Sequence, residues 1–136
     1  MSTISKMAIR GIRSFSPDRE ETIEFYTPLT MIVGANGCGK TTIIESLKFA
    51  CTGSLPPNSR SGRSFINDPS MTDTTEVKAS VKLRFLKKQS KATVVVRSCQ
   101  LTKRRNKLEY KALEGVIRMT NDDGEKVITD FYSCAR

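Results

Sequence analysis

The 136-residue chain contains no histidine at all. That removes the commonest general base, so Ser-His and Cys-His nucleophilic catalysis are excluded within the chain, and any zinc site loses its usual nitrogen ligand. Four cysteines, Cys38, Cys51, Cys99 and Cys134, lie far apart with no C-x-x-C pair. Neither a zinc cluster nor a disulfide framework is spelled out, and reduced thiols in a cytosol or nucleus are expected. Long apolar runs are missing too. None approaches the roughly 18 residues a membrane span requires, and the first ten residues lack the apolar stretch and small-residue cleavage site of a signal peptide. An intracellular protein with no membrane partner is therefore expected, and no repeat or heptad run suggests a solenoid or coiled coil within the chain.

Acidic residues are scarce in one region only. The net charge is +9, but between Lys78 and Arg118 thirteen Lys and Arg face two acids, Glu109 and Glu114, so the remainder of the chain is slightly acidic. A charge run is most often a solvated face; the alternative is a surface for a polyanion, and both stay open.

The length suits one domain, which buries roughly two-thirds of its unfolded surface. Three short strands are expected first, at Met7 to Ile12, Thr22 to Phe25 and Leu29 to Val33, the last apolar enough for a central strand. After Gly39 the period changes to that of a helix with Ile43, Ile44, Leu47 and Cys51 on one face, ending near Gly53 because Pro56-Pro57 cannot continue it. Residues 55–75 read as a long, mobile surface loop. Residues 77–118 then read as a basic antiparallel meander: Val77 to Phe85 alternates apolar and cationic residues, and strands at Ala92 to Leu101 and Leu108 to Ala112 follow. Asn121-Asp-Asp-Gly124 is a turn signal for one more hairpin.

Between the third expected strand and the helix lies Gly34-Ala-Asn-Gly-Cys-Gly39-Lys40-Thr41, a complete G-x-x-x-x-G-K-[ST] phosphate-binding loop in its required context. Glycines let successive backbone N–H groups turn toward phosphate oxygens, and the helix amino terminus adds partial positive charge. Lys40 meets the β- and γ-phosphates as a point charge, and the Thr41 hydroxyl joins the Mg²⁺ shell. Cys38, at an unrestricted position of the loop, reads as a small filler. ATP with Mg²⁺ is the expected ligand pair. The fold class is α/β, a P-loop NTPase with one P-loop helix and an antiparallel meander.

Ile9-Arg-Gly-Ile-Arg-Ser-Phe15, the loop with Thr42, Leu55-Pro-Pro-Asn58 and Ser64-Phe-Ile-Asn-Asp-Pro69 together resemble the amino-terminal lobe of the Rad-fifty family. These are SMC-like, ABC-type ATPases of DNA double-strand-break repair. The resemblance implies a head half-domain with a mixed sheet, and a nucleotide contacted by Arg13, Ser14, Asn36, Gly37, Cys38, Gly39, Lys40, Thr41 and Thr42, with Thr41 on Mg²⁺. It also implies DNA, an Mre-eleven-type nuclease and a second ATPase head as partners, and the nucleus and chromosome as location. The glutamine loop, signature motif and Walker B acids are expected beyond residue 136, in a carboxy-terminal half. Zinc is expected only in the hook of the intervening coiled coil. The family usually has histidine where Asn67 stands, which reads as tolerated variation on a loop. Val127-Ile-Thr-Asp130 imitates Walker B but lacks the long apolar strand before its acid.

On this reading the chain is an incomplete lobe that binds ATP without hydrolysing it alone. Lys82, Arg84, Lys87, Lys88, Lys91, Lys103, Arg104, Arg105 and Lys107 are the candidates for neutralising DNA phosphates without reading sequence. Lys103-Arg-Arg-Asn-Lys107 also fits an import signal. Two alternatives remain: a non-enzymatic nucleic-acid-binding fragment using the meander alone, and a self-sufficient small kinase or GTPase. Against the latter, no second Arg cluster marks a lid, and Asn106-Lys-Leu-Glu109 only approximates the guanine-reading N-K-x-D.

Overall fold

A computed structural model describes residues 2–87, 90–113 and 115–129. Among them run strands β1 (Ser2–Arg10) and β2 (Glu21–Glu24), helix α1 (Lys40–Thr52), and strands β3 (Glu76–Lys87), β4 (Ser90–Arg104), β5 (Lys107–Ala112), β6 (Val116–Asn121) and β7 (Gly124–Thr129). The strands form a seven-stranded sheet in the order β2-β1-β3-β4-β6-β7. The long β4 carries two partners along one edge: Thr93 to Val96 pair with β6, and Cys99 to Arg104 with β5.

Alternation decides which face is which. Val77, Ala79, Val81 and Leu83 of β3 are buried, as are Met7 and Ile9 of β1 and Cys99 and Leu101 of β4, and together they form one apolar face. Helix α1 lies over that face, touching β3 and β4. Its buried side is Thr42, Ser46, Phe49 and Ala50, with Ile43 and Leu47 flanking. This corrects the expected face: Ile44 and Cys51 are exposed. Two residues correspond to about 200° of helix rotation, which carries Ile44 away from Ser46 to the opposite side. The helix stops as expected, the N–H of Gly53 donating to the carbonyl of Phe49 at 2.8 Å.

The sheet is antiparallel in every pairing, so the expected mixed sheet is not formed among the described residues. The reason lies in residues 29–33. Their apolar side chains stand in the open, Leu29 at 71%, Met31 at 77% and Val33 at 84% exposure, and no strand pairs with them. A strand exists by virtue of a ladder partner, and here the nearby chain makes local bonds instead, with Tyr26 N–H donating to Thr30 Oγ1 at 2.7 Å and that hydroxyl donating to the Tyr26 carbonyl at 2.8 Å.

The expected surface loop, residues 55–75, also departs from its composition. Phe65, Ile66, Asn67 and Pro69 are buried, and Ile66 forms an antiparallel bridge with Ile12. Phe65 meets Phe49 of α1 edge-on, ring centroids 5.4 Å apart and planes at 67°, an arrangement that contributes about 1 kcal/mol beyond simple burial. The polar residues around it end a 3₁₀ turn, Pro69–Met71, whose first donors are met by Asp68, the carboxylate accepting from Ser70 N–H at 2.9 Å. The loop is thus a strap across the core.

Candidate functional site

The glycine loop, residues 34–41, leads into α1. Gly37 and Gly39 hold φ of 85° and 90°, the left-handed conformations that let neighbouring amides converge. Among the described residues no side chain caps the helix amino terminus, and no acid occupies its first turn. Its first N–H groups are therefore donors without an internal acceptor, and their partial positive charge is uncancelled. The Lys40 ammonium donates to the carbonyl of Gly34, which folds the cation back over the loop.

These features border a cavity of about 540 Å³ lined by Arg13, Ser14, Asn36, Gly37, Gly39, Lys40, Thr41 and Thr42. Eight of the nine residues expected to touch nucleotide are in that lining. The ninth, Cys38, is exposed, its N–H donating to the Ala35 carbonyl at 3.2 Å. Arg13 and Ser14 reach the cavity from the turn after β1. Arg13 N–H donates to the Phe65 carbonyl at 2.9 Å, and its guanidinium stands 2.9 Å from Oε2 of Glu45, on the next turn of α1. A second cavity of about 620 Å³ adjoins, sharing Arg13 and Ser14. Ile66, Met71, Leu101 and Leu108 give it an apolar wall, and Arg60, Arg63, Asp68 and Lys107 are its charged lining. Apart from Lys107, singled out only as a DNA-binding candidate, sequence reasoning passed over these residues because they come from the strap and from the β4–β5 hairpin. Only the Ser64-to-Pro69 segment gave any signal.

The cationic candidates fall in two places. Lys82 and Arg84 are exposed on the sheet face opposite α1, where the ladder sets Lys6 across from Arg84 and Arg10 across from Ser80. Lys6 and Arg10 were not candidates, since only the pairing of β1 with β3 brings them alongside. Lys82 is 2.7 Å from Glu20, and Lys6 is 2.8 Å from Glu24, whose carboxyl is held below its ordinary pKa by hydrogen bonding to and attraction from Lys6. Lys103, Arg104, Arg105 and Lys107 sit instead at the β4–β5 hairpin tip, a two-residue turn in which Arg105 and Asn106 both take positive φ. There Lys103 Nζ donates to Ser70 Oγ at 3.1 Å, and Arg104 lies 3.8 Å from Glu109. Lys87 ends β3, exposed; Lys91 belongs to β4; Lys88 lies outside the described residues, as do Cys134 and Asp130 of the Walker B imitation. Its Val127 and Ile128 are exposed on β7.

No group of three or more His, Cys, Asp or Glu among the described residues is placed to hold a metal, and no helix there is long and apolar enough to cross a membrane.

Over residues 6–135 the chain matches the AAA domain. It belongs to that family. It is 56% identical over 136 residues to DNA repair protein RAD50 of Arabidopsis thaliana, covering 99% of this chain and 10% of that protein. With DNA repair protein RAD50 of Saccharomyces cerevisiae the identity is 48% over 126 residues, 93% of this chain and again 10% of the relative. The chain thus spans about a tenth of the length of the curated relatives it matches. A shorter likeness, 37% over 46 residues, joins it to the chromosome partition protein Smc of Halothermothrix orenii, 34% of this chain and 4% of that protein. The family resemblance read from the motifs therefore stands.

Proposed function

We propose that this AAA-family chain is the ATP- and Mg²⁺-binding lobe of a DNA double-strand-break repair ATPase that binds DNA and works with an Mre-eleven-type nuclease. The observation carrying the nucleotide reading is the convergence of Arg13 and Ser14, from one end of the core, with the glycine loop and the head of α1, around one cavity. That cavity offers cations and free N–H donors and no carboxylate, which suits a polyphosphate. Arg13 and Ser14 also line the second cavity, so a nucleotide with its phosphates in the first places its nucleoside part against the apolar wall of the second.

Thr41 fits Mg²⁺ as a single hydroxyl ligand, because Mg²⁺ at such sites takes most of its remaining ligands from phosphate oxygens and water. The ion supplies charge neutralisation at the phosphates. Lys40 balances the terminal phosphate charge, and Arg13 adds a second cation from the opposite wall.

Hydrolysis needs a group to position water and a group to stabilise transferring charge. The lining holds no carboxylate to position water, and its cations, Lys40 and Arg13, leave the far side of the transferring phosphate to another group, so the chain is expected to bind ATP without turnover, the missing groups coming from a carboxy-terminal half and a second head. The exposed apolar residues 29–33, directly before the glycine loop, support that reading, since they have the composition of a strand awaiting its neighbours. The cationic outer face and hairpin tip support DNA binding through phosphates, and nuclear, chromosomal work follows from it.

The test is a titration of a fluorescent ATP analogue with Mg²⁺ against wild type and Lys40→Ala. Loss of binding in the variant is expected; equal affinities would reject the nucleotide site.

A further inference from the structure

Arg13 is the one cation common to both cavities, and its backbone is held where side chains are disfavoured. Its φ is 45°, in the left-handed region that crowds a β-carbon. Such a conformation persists only where the surroundings impose it.

The surroundings are two residues of the strap, which hold the turn through three hydrogen bonds. Arg13 N–H donates to the Phe65 carbonyl at 2.9 Å, Asn67 Nδ2 donates to the Arg13 carbonyl at 2.6 Å across 54 residues of sequence, and Asn67 N–H donates to the Gly11 carbonyl at 2.8 Å. Asn67 therefore grips the turn through its backbone and through its side chain. Beyond the backbone, the Arg13 guanidinium is steadied by Glu45 of α1 at 2.9 Å. That contact is an ion pair rather than a hydrogen bond: Oε2 is buried with no hydrogen-bond donor among the described residues. A guanidinium carries five donors, so one carboxylate leaves several for an anion.

Asn67 is an expensive choice at this position. Only 6% of it is exposed, and its Oδ1 is buried with no hydrogen-bond partner among the described residues. An unpaired buried acceptor lowers stability, and an apolar side chain of similar size would avoid that loss. What the amide provides and an apolar residue does not is the N–H at the Arg13 carbonyl.

We infer that Asn67 is a positioning residue for Arg13: its amide fixes the turn so that the guanidinium stands at the junction of the two cavities and meets a phosphate of the nucleotide. The inference rests on the proposed nucleotide site and deepens it. Asn67 then is no neutral loop variation, and a residue at that position must donate a hydrogen bond.

The experiment is a double-mutant cycle on MgATP affinity, with Lys40→Ala in the same series. Asn67→Leu keeps the branched outline with bulkier methyl ends, removes the N–H to the Arg13 carbonyl and also removes the unpaired acceptor. It is expected to melt within a few degrees of the wild-type temperature, the loss of one unpaired acceptor offsetting the newly unpaired Arg13 carbonyl, yet bind MgATP about tenfold more weakly, a coupling ordinary for residues in contact. In an Arg13→Ala background the same substitution is expected to have no further effect on affinity. Asn67→His, which retains a ring N–H donor, is expected to bind within about twofold of wild type.

An Asn67→Leu effect that persists undiminished in the Arg13→Ala background would assign Asn67 a general structural role and overturn the inference. So would unchanged affinity in Asn67→Leu while Lys40→Ala loses binding. If Lys40→Ala binds normally, the nucleotide site itself fails and takes this inference with it. Should Asn67→Leu fold poorly, Asn67→Ala enters the same cycle, read by the same coupling to Arg13.

Discussion

Arg97 on β4 donates its Nε–H to the carbonyl oxygen of Ala50, 3.0 Å away, so that a strand residue 47 positions downstream holds the last turn of α1. Helix carbonyls at that end have no partner within the helix, and a cation beside them also opposes the negative pole of the helix dipole. Burial holds the Arg97 guanidinium below its ordinary pKa, as expected for a cation drawn from water to serve this contact.

Replacing Arg97 by Met retains most of the packing and removes the donor. Stability is expected to fall by about 1–2 kcal/mol, since a hydrogen bond from a charged group is lost and a carbonyl is left without it. For a domain of this size that lowers the melting temperature by roughly 3–8 °C. Thermal unfolding followed by circular dichroism measures it, and an unchanged melting temperature would mean the contact contributes nothing.

Gly11, at φ 65° in the turn after β1, is closed to any side chain. A β-carbon there would lie 2.6 Å from the Lys78 carbonyl oxygen, a backbone atom of β3 that cannot swing aside. A β-carbon on Gly124, at φ 121° in the last hairpin, would meet nothing within 4 Å among the described residues beyond its chain neighbours. Gly11→Ala is expected to lose about 3 kcal/mol or more, combining backbone strain with a displaced strand, while Gly124→Ala loses roughly 1–2 kcal/mol from strain alone. Urea titrations of the two variants check the order; equal losses would show that the close approach to β3 is relieved at little cost.

The cysteines separate by burial. Cys38 and Cys51 are exposed, whereas burial pushes the Cys99 thiol up to about 12. Tyr110, hydrogen-bonded to Cys99, is raised as well, chiefly by burial. At pH 8 a maleimide followed by peptide mapping is expected to find Cys38 labelled, Cys51 labelled more slowly because partial burial raises its thiol, and Cys99 intact, because the thiolate is the reacting species. Saturating MgATP should slow Cys38, within the glycine loop, and leave Cys51 unaffected.

The same shift gives an alkaline limit to stability. Cys99 in the unfolded chain ionises near its ordinary value of 9.0, below the folded value of about 12. Above pH 9 the unfolded state therefore loses protons that the folded state keeps, and stability falls as pH rises through the window from 9 to 12. Cys99→Ala is expected to flatten that limb in denaturant titrations at pH 8, 9 and 10, while starting from a lower plateau because of the cavity it creates.

DNA binding, if carried by the basic clusters, is non-specific and falls with salt at a log–log slope near 0.9 per phosphate neutralised. Replacing Lys103, Arg104, Arg105 and Lys107 with Ser is expected to reduce the slope by several units, and replacing Lys6, Lys82 and Arg84 by a comparable amount per residue. Fluorescence anisotropy on a short duplex across a salt series measures both. A slope moved by one set alone would place the DNA on the hairpin tip or on the sheet face, and a slope moved by neither would return both to solvated surface.

Local signals sufficed for much of this protein. Gly37, Gly39, Lys40 and Thr41 line one cavity from a single short stretch of chain, and the alternation from Val77 to Phe85 names its own buried face, because a strand's period is set by backbone geometry and not by context. The end of α1 at Gly53 was likewise written locally. Tertiary structure decided the rest. Residues 29–33 have the composition of a central strand, yet a strand needs a neighbour to bond with, and sequence does not say whether the neighbour is there. Ile44 lost its place in the core because the helix face is chosen by what it packs against. Phe65 and Ile66 came out of a polar stretch to fill space under the sheet. Arg13, Glu45 and Asn67, remote in sequence, became one cluster at the cavity rim because the strap crosses the turn after β1, a closure whose energy comes from the buried core beneath it and leaves no periodic mark in the chain.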